Sequence, residues 1–224
     1  MASTATWRTR WVNFAANYLA HPLFIPLYAY GLYWPSMINA GQRVIWLNFV
    51  VIFLTLVALP LMIYPILRKT GKVASIHLRT APERVWPLTI NLLLWSCLVS
   101  YLGFLLPKFN PMFQGFSAPL MSFFIGGTLC ILGALITSII GHKSSLHMMG
   151  VSGLVTHLIL RDTHFILGIQ KPEPSLFWGL GLLLIIWVGL VRYRVKAHTT
   201  YELVTGSVLG IITQLLGVFT QEII

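Results

Sequence analysis

RYRVKAHTTYELVTGSVLG, Arg192–Gly210, is the stretch on which the reading of this chain turns. It starts with Arg192, Arg194 and Lys196, passes through a histidine and a carboxylate, and continues as an apolar helix. His198 and Glu202 are four residues apart, so on a helix they share a face. Arg192 lies six residues before His198. The chain has only five acidic residues, and Glu202 is one of them. Taken alone, the stretch also fits a basic membrane-exit segment followed by an ordinary span.

Composition sets the context. Of 224 residues, 57% are hydrophobic and only 9% charged, and the mean hydropathy is +0.81. A soluble domain carries roughly a quarter charged residues. A bilayer core takes about 20 apolar residues per helix, so spans and short loops fill the chain. The expected fold is all-α: a polytopic transmembrane helix bundle of six or seven spans. Residues 1–224 then form a single integral membrane domain, with no room for a separate soluble one. The net charge of +10 would suggest nucleic acid in a soluble protein. Here the basic residues sit at span ends, where anionic headgroups or phosphorylated substrates are the natural partners, and ordinary positive-inside flanking accounts for much of the charge. Nucleic acid is not expected. Cys97 and Cys130 fall inside spans and read as apolar fillers.

Working along the chain, Val12–Trp34 is apolar but interrupted by Asn13, Asn17, His21, Pro22 and Pro26. It either spans with a kink or lies partly at the interface. Spans are expected at about 44–67, 87–106, 116–140, 141–167, 175–191 and 200–220. Gly206 and Gly210 form a GxxxG, a spacing that permits close packing in membranes.

Alternating spans put three polar segments on one membrane face. These are Arg68–Arg84 after the second stretch, His142–His147 after the fourth, and Arg192–His198 after the sixth. Together they offer Lys72, His77, Arg79 and Arg84; Lys143, Ser144, Ser145 and His147; and Arg192, Arg194, Lys196, His198 and Glu202. This set lacks the several carboxylates of a magnesium site and the Cys/His spacing of a zinc site. It suits an oxyanion, most naturally a phosphate. A neutral histidine with its tautomer fixed by a carboxylate is a competent nucleophile near neutral pH. His198 with Glu202 fits that pair, and His147 could protonate a leaving oxygen.

The spacing resembles the type 2 phosphatidic acid phosphatases, a superfamily of histidine-dependent membrane lipid phosphatases, over about Lys72–Gly210, a motif-bearing core within residues 68–210. Lys72-VASIHL-Arg79 has the spacing of the family's first motif, with Thr80 where the family has proline. Ser144-Ser145-Leu146-His147 keeps the Ser-x-His core of the second. Arg192-YRVKA-His198-TTY-Glu202 keeps both spacings of the third, with Glu for Asp. The resemblance implies that His198 attacks phosphorus to form a phosphohistidine, Glu202 orients it, and His147 is the general acid. Lys72, Arg79, Ser145 and Arg192 would hold the phosphoryl oxygens, with no metal or other cofactor. The implied activity is hydrolysis of a lipid phosphate or diphosphate, phosphatidate- or polyprenyl-phosphate-like. A phosphotransferase, or a transporter or lipid-binding scaffold that keeps the anion pocket without turnover, are the alternatives. Leu146 and Glu202 depart from the family pattern and point to an altered substrate or weakened catalysis.

The remaining polar residues read as structural. His21 is expected to pack or sit at the interface, and His157 and His164 to be structural. His77 and His142 flank the site, and Lys143, Arg194 and Lys196 are flanking charges. Arg161–Asp162 is a second polar feature on the opposite face. A multi-pass protein of the bacterial inner (plasma) membrane is expected. With seven spans, eleven Lys and Arg share the motif face and the N-terminus against four opposite, which places the motifs in the cytoplasm. The family more often faces the periplasm or lumen, so sidedness stays open, as does oligomeric state.

Overall fold

A computed structural model describes residues 14–74, 78, 80–109, 114–160 and 174–222. Among these, every regular element is helical. A short π-helical turn, Ala15–Leu19, is followed by a break and then by α1, Ile25–Tyr33. The longer helices are α2 (Gln42–Lys69), α3 (Pro82–Lys108), α4 (Gln114–Ile139), α5 (Leu146–Leu160), α6 (Pro174–Arg194) and α7 (Thr200–Glu222). Four of them, α2, α3, α4 and α7, are long and apolar enough to cross a membrane. The apolar α5 has 15 residues, or about 22 Å at 1.5 Å per residue, less than the roughly 30 Å hydrocarbon core. The nine residues of α1 fall further short, and they run inward: Ile25, Pro26, Ala29, Tyr30 and Tyr33 are buried.

The molecule's outside is as apolar as its inside. Trp46, Leu47, Leu61 and Met62 on α2, and Leu180, Leu182, Leu183 and Ile186 on α6, are exposed. Water penalises such a continuous apolar exterior, whereas lipid accepts it. The core gathers Tyr30, Tyr33, Met37, Ile45, Ile52, Leu98, Phe123 and Phe124. Within it, Tyr30 Oη donates to Ile45 O at 2.7 Å, and Tyr33 Oη and His157 Nε2 are 2.6 Å apart. His157 is therefore a packing residue, as expected. His164, Arg161 and Asp162 lie outside the described residues.

Proline explains the irregularities of the long helices. Each of the π-helical segments Leu54–Ala58 in α2 and Tyr101–Leu105 in α3 lies just before a proline, Pro60 or Pro107. Proline lacks the N–H that the preceding turn would accept and crowds the carbonyl four residues back. A widened turn absorbs the misfit without breaking the rod.

Three helices end in the same way. At α2, Lys72 N donates to Leu67 O and Gly71 N to Arg68 O. At α4 the pairs are His142–Thr137 and Gly141–Ser138, and at α6 they are Ala197–Arg192 and Lys196–Tyr193. This paired pattern is the Schellman motif, which needs a left-handed residue just past the helix. Gly71 (φ 72°) and Gly141 (φ 85°) supply it freely, and Lys196 adopts it at φ 54°. Each cap ends its helix and turns the chain off the helix axis.

Close packing of α7 on α5 completes the frame. A Cβ on Gly206 would lie 2.6 Å from Ser145 O, and one on Gly210 would collide with Met149 O and the Ser152 hydroxyl. The GxxxG therefore serves one particular seam. Ser152 Oγ donates across it to Ser207 O at 3.1 Å.

Candidate functional site

The histidine–carboxylate pair is built on the helix start itself. Thr199 precedes α7 and Glu202 is its third residue. Glu202 N donates to Thr199 Oγ1 at 3.3 Å, and Thr199 N donates back to Glu202 Oε2 at 3.2 Å. This reciprocal arrangement is a capping box, and glutamate is long enough to reach back. The same Oε2 takes a hydrogen bond from His198 Nδ1 at 2.8 Å. Glu202 thus caps the helix and holds the imidazole with one oxygen. With its proton on Nδ1, His198 carries its lone pair on Nε2, which has no partner among the described residues.

Cations surround the pair. Lys143 Nζ is 3.6 Å from Glu202 Oε2 and donates to Ala197 O at 3.4 Å. Arg84 is buried; its Nη1 donates to Ser144 O at 2.6 Å and its Nε to Leu78 O at 3.2 Å. Arg192 Nη1 donates to Asn17 Oδ1 at 2.5 Å, while its Nε is buried with no partner among the described residues. These bonds bring the three polar segments together at one end of the bundle. Burial pushes His198 down to about 4, helped by the positive charges of Arg192, Lys143 and Arg84 and opposed by the Glu202 bond. The imidazole therefore stays neutral through the physiological range.

His147, in the first turn of α5, shares a cavity wall with His198, Arg84, Lys143 and Arg192. The cavity, about 1110 Å³, continues downward between apolar side chains such as Leu56, Ile63, Trp95 and Phe123. His147 Nε2 lies 3.1 Å from Asn17 O. A carbonyl only accepts, so this nitrogen carries the proton and Nδ1 the lone pair. The His21 ring stands edge-on to His147, with centroids 5.2 Å apart.

Two residues expected at the phosphate are placed elsewhere. The Lys72 side chain is exposed, its ammonium 4.7 Å from the centre of the Trp86 ring, and its backbone completes the α2 cap. Its place was chosen from spacing, but a residue at the end of a Schellman motif is directed by the cap. Ser145 is fully buried: its N–H donates to Glu202 O at 2.9 Å, and its hydroxyl is 3.5 Å from Met148 N at the start of α5. It joins α5 to α7 behind the cavity wall and does not line the cavity. Arg79, with His77, lies outside the described residues.

Other residues gain a place. Arg84, read as one of several loop cations, is the buried one. Lys143, read as a flanking charge, touches the histidine–carboxylate pair. Asn17 and His21, read as interruptions of an apolar stretch, reach Arg192 and His147. For Asn17, the only signal in the sequence was an amide at a position that a simple span would fill with an apolar residue. His142 remains peripheral, its ring 6.1 Å from that of Tyr201. Among the described residues no three His, Cys, Asp or Glu side chains are grouped to hold a metal ion. Comparison with protein-family models, curated proteins and solved structures gave no match.

Proposed function

We propose that the chain is an integral membrane phosphatase that hydrolyses a lipid phosphate or diphosphate through a phosphohistidine. One observation carries this reading: His198 is held by Glu202 through Nδ1 at 2.8 Å, on the wall of a cavity that is cationic at that end and apolar below. A headgroup phosphate suits the first part and an alkyl tail the second. The unpartnered Nε of Arg192 is a buried donor, which an oxyanion would satisfy.

In the proposed reaction, His198 Nε2 attacks phosphorus. The N–P bond forms as the bond to the leaving oxygen breaks, and Arg84, Lys143 and Arg192 offset the charge on the phosphoryl oxygens. The leaving oxygen takes a proton from His147. Water then attacks phosphorus, the N–P bond breaks, and the water's proton returns to His147. Acting as the acid requires His147 to be protonated on Nδ1 while Asn17 O keeps Nε2–H in place. A lipid acceptor in place of water would make the same site a phosphotransferase.

A second reading, a lipid-phosphate-binding protein without turnover, also has an observation in its favour. Asn17 engages both Arg192 and His147, so the anion site is occupied by the chain itself. Purified protein in detergent, assayed for phosphate release from several lipid phosphates with and without chelator, separates the readings. Release that survives chelator and falls by at least about 10⁴-fold in His198→Ala supports hydrolysis. Binding without release establishes the second reading.

A further inference from the structure

The apolar part of the cavity has a polar floor. Gln214 lies on α7 twelve residues beyond Glu202, which at 1.5 Å per residue is about 18 Å deeper along the helix. It is 3% exposed and lines the same cavity as His198. Its Nε2 donates to Phe123 O at 3.1 Å. Because a carbonyl accepts from the amide nitrogen only, this bond fixes which end of the amide is free. The free end is Oε1, buried with no partner among the described residues.

The surroundings make room for this amide. A Cβ on Gly126 would come within 2.8 Å of Oε1 and 2.7 Å of Nε2, and one on Gly153 within 3.3 Å of Gln214 Cγ. Two glycines on facing helices therefore open a slot that any larger residue would fill. Asn91, also on the cavity wall, uses its Nδ2 on Pro87 O at 2.9 Å. What remains of its amide is the Oδ1 acceptor and a second N–H. An alkyl tail would leave Oε1 without a bond, and an unpaired acceptor deep in an apolar interior carries its full desolvation cost.

We infer that the floor of the cavity, at Gln214 Oε1, binds a hydrogen-bond donor on the tail of the lipid: a hydroxyl on the long chain, about 18 Å from the phosphate. This deepens, and rests on, the lipid-phosphate reading above. Gln214 is then the residue that selects a hydroxylated chain over a plain one.

The test uses purified full-length protein and four probes: octadecyl phosphate, the same phosphate with a hydroxyl near the far end of its chain, and the two corresponding alcohols without phosphate. Equilibrium binding is measured for each, and phosphate release for the first two. The hydroxylated member of each pair is expected to bind about tenfold tighter, one neutral hydrogen bond's worth. In Gln214→Leu, and in the closer-shaped Gln214→Met, the two members of each pair should bind equally. Equal binding within both pairs in the wild type overturns the inference, as would happen if only water occupies Oε1. A preference that survives both substitutions also overturns it. The two readings fail separately: preference among the alcohols without phosphate release removes the phosphatase, and release without preference removes the role of Gln214.

Discussion

The two histidines of the cavity wall are held by different kinds of structure. His198 is fixed from within five consecutive residues, by a capping box whose glutamate sits four positions away. His147, and Arg192 with it, are held by Asn17, which is 130 and 175 residues distant in sequence. The first arrangement forms wherever that helix start forms. The second exists only when the N-terminal stretch lies on the end of the bundle. His198 and Glu202 are thus held together locally, while His147 and Arg192 depend on a docked segment.

The sharpest way to break this contrast is at the local pair. Glu202→Gln keeps the length of the side chain but weakens its hold on Nδ1–H, and should lower the rate of phosphate release about 10²-fold or more. In the wild type, the folded-state pKa of His198 is depressed from 6.5 to about 4. His198 should stay neutral as pH falls through 6.5 and become protonated near 4. Between those values the unfolded chain takes up the proton and the folded chain does not, so this histidine lowers stability as pH falls across that window. An imidazole NMR titration in micelles checks both: a His198 midpoint at or above 6.5 contradicts the buried geometry.

Asn17→Leu tests the distant contacts. Losing the bond to Arg192 should change KM for the lipid phosphate by about tenfold, the range of one hydrogen bond to a charged group, with the His198 imidazole titrating as before. A rise in KM means that Asn17 helps position Arg192; a fall means that it competes with the phosphate. No change would show that Arg192 stands without it.

Lys196 sharpens the comparison from the backbone side. Its left-handed conformation closes the α6 cap and sets the turn that carries His198. Lys196→Gly should stabilise the fold by about 0.5–1 kcal/mol, because glycine adopts that conformation without the Cβ clash. Thermal unfolding in detergent reads it, and a loss of stability would mean that the side chain holds the turn. The smallest effect belongs to Lys72→Ala. An exposed lysine against a tryptophan ring contributes little, so phosphate release should stay within about twofold. A large loss would return Lys72 to the phosphate site.

Much of this was legible in the sequence for identifiable reasons. The apolar stretches predicted helices long enough for a bilayer, and α2, α3, α4 and α7 are such helices. Alternation of spans predicted that three segments share one end, and their bonds to one another show it. The His198–Glu202 contact followed from helical periodicity. The phosphate-binding set was less legible. Spacing picked out Lys72, but the direction of its side chain is set by the cap it completes. Ser145 sits in the seam where Gly206 admits the backbone of another helix. Neither fact has a signature in its own stretch.

By itself, then, the sequence determined what depends on near neighbours: helix length from runs of apolar residues and the histidine–glutamate pair from a four-residue spacing. Tertiary structure alone decided which cations reach that pair. Arg84, Lys143 and Arg192 come from three different segments, and each is aimed by bonds to carbonyl or amide groups far away in the chain. Such bonds depend on how the helices pack, and packing is a property of facing surfaces that no single stretch contains. The same holds for Asn17 and Gln214, whose amides become meaningful only once a cavity has closed around them.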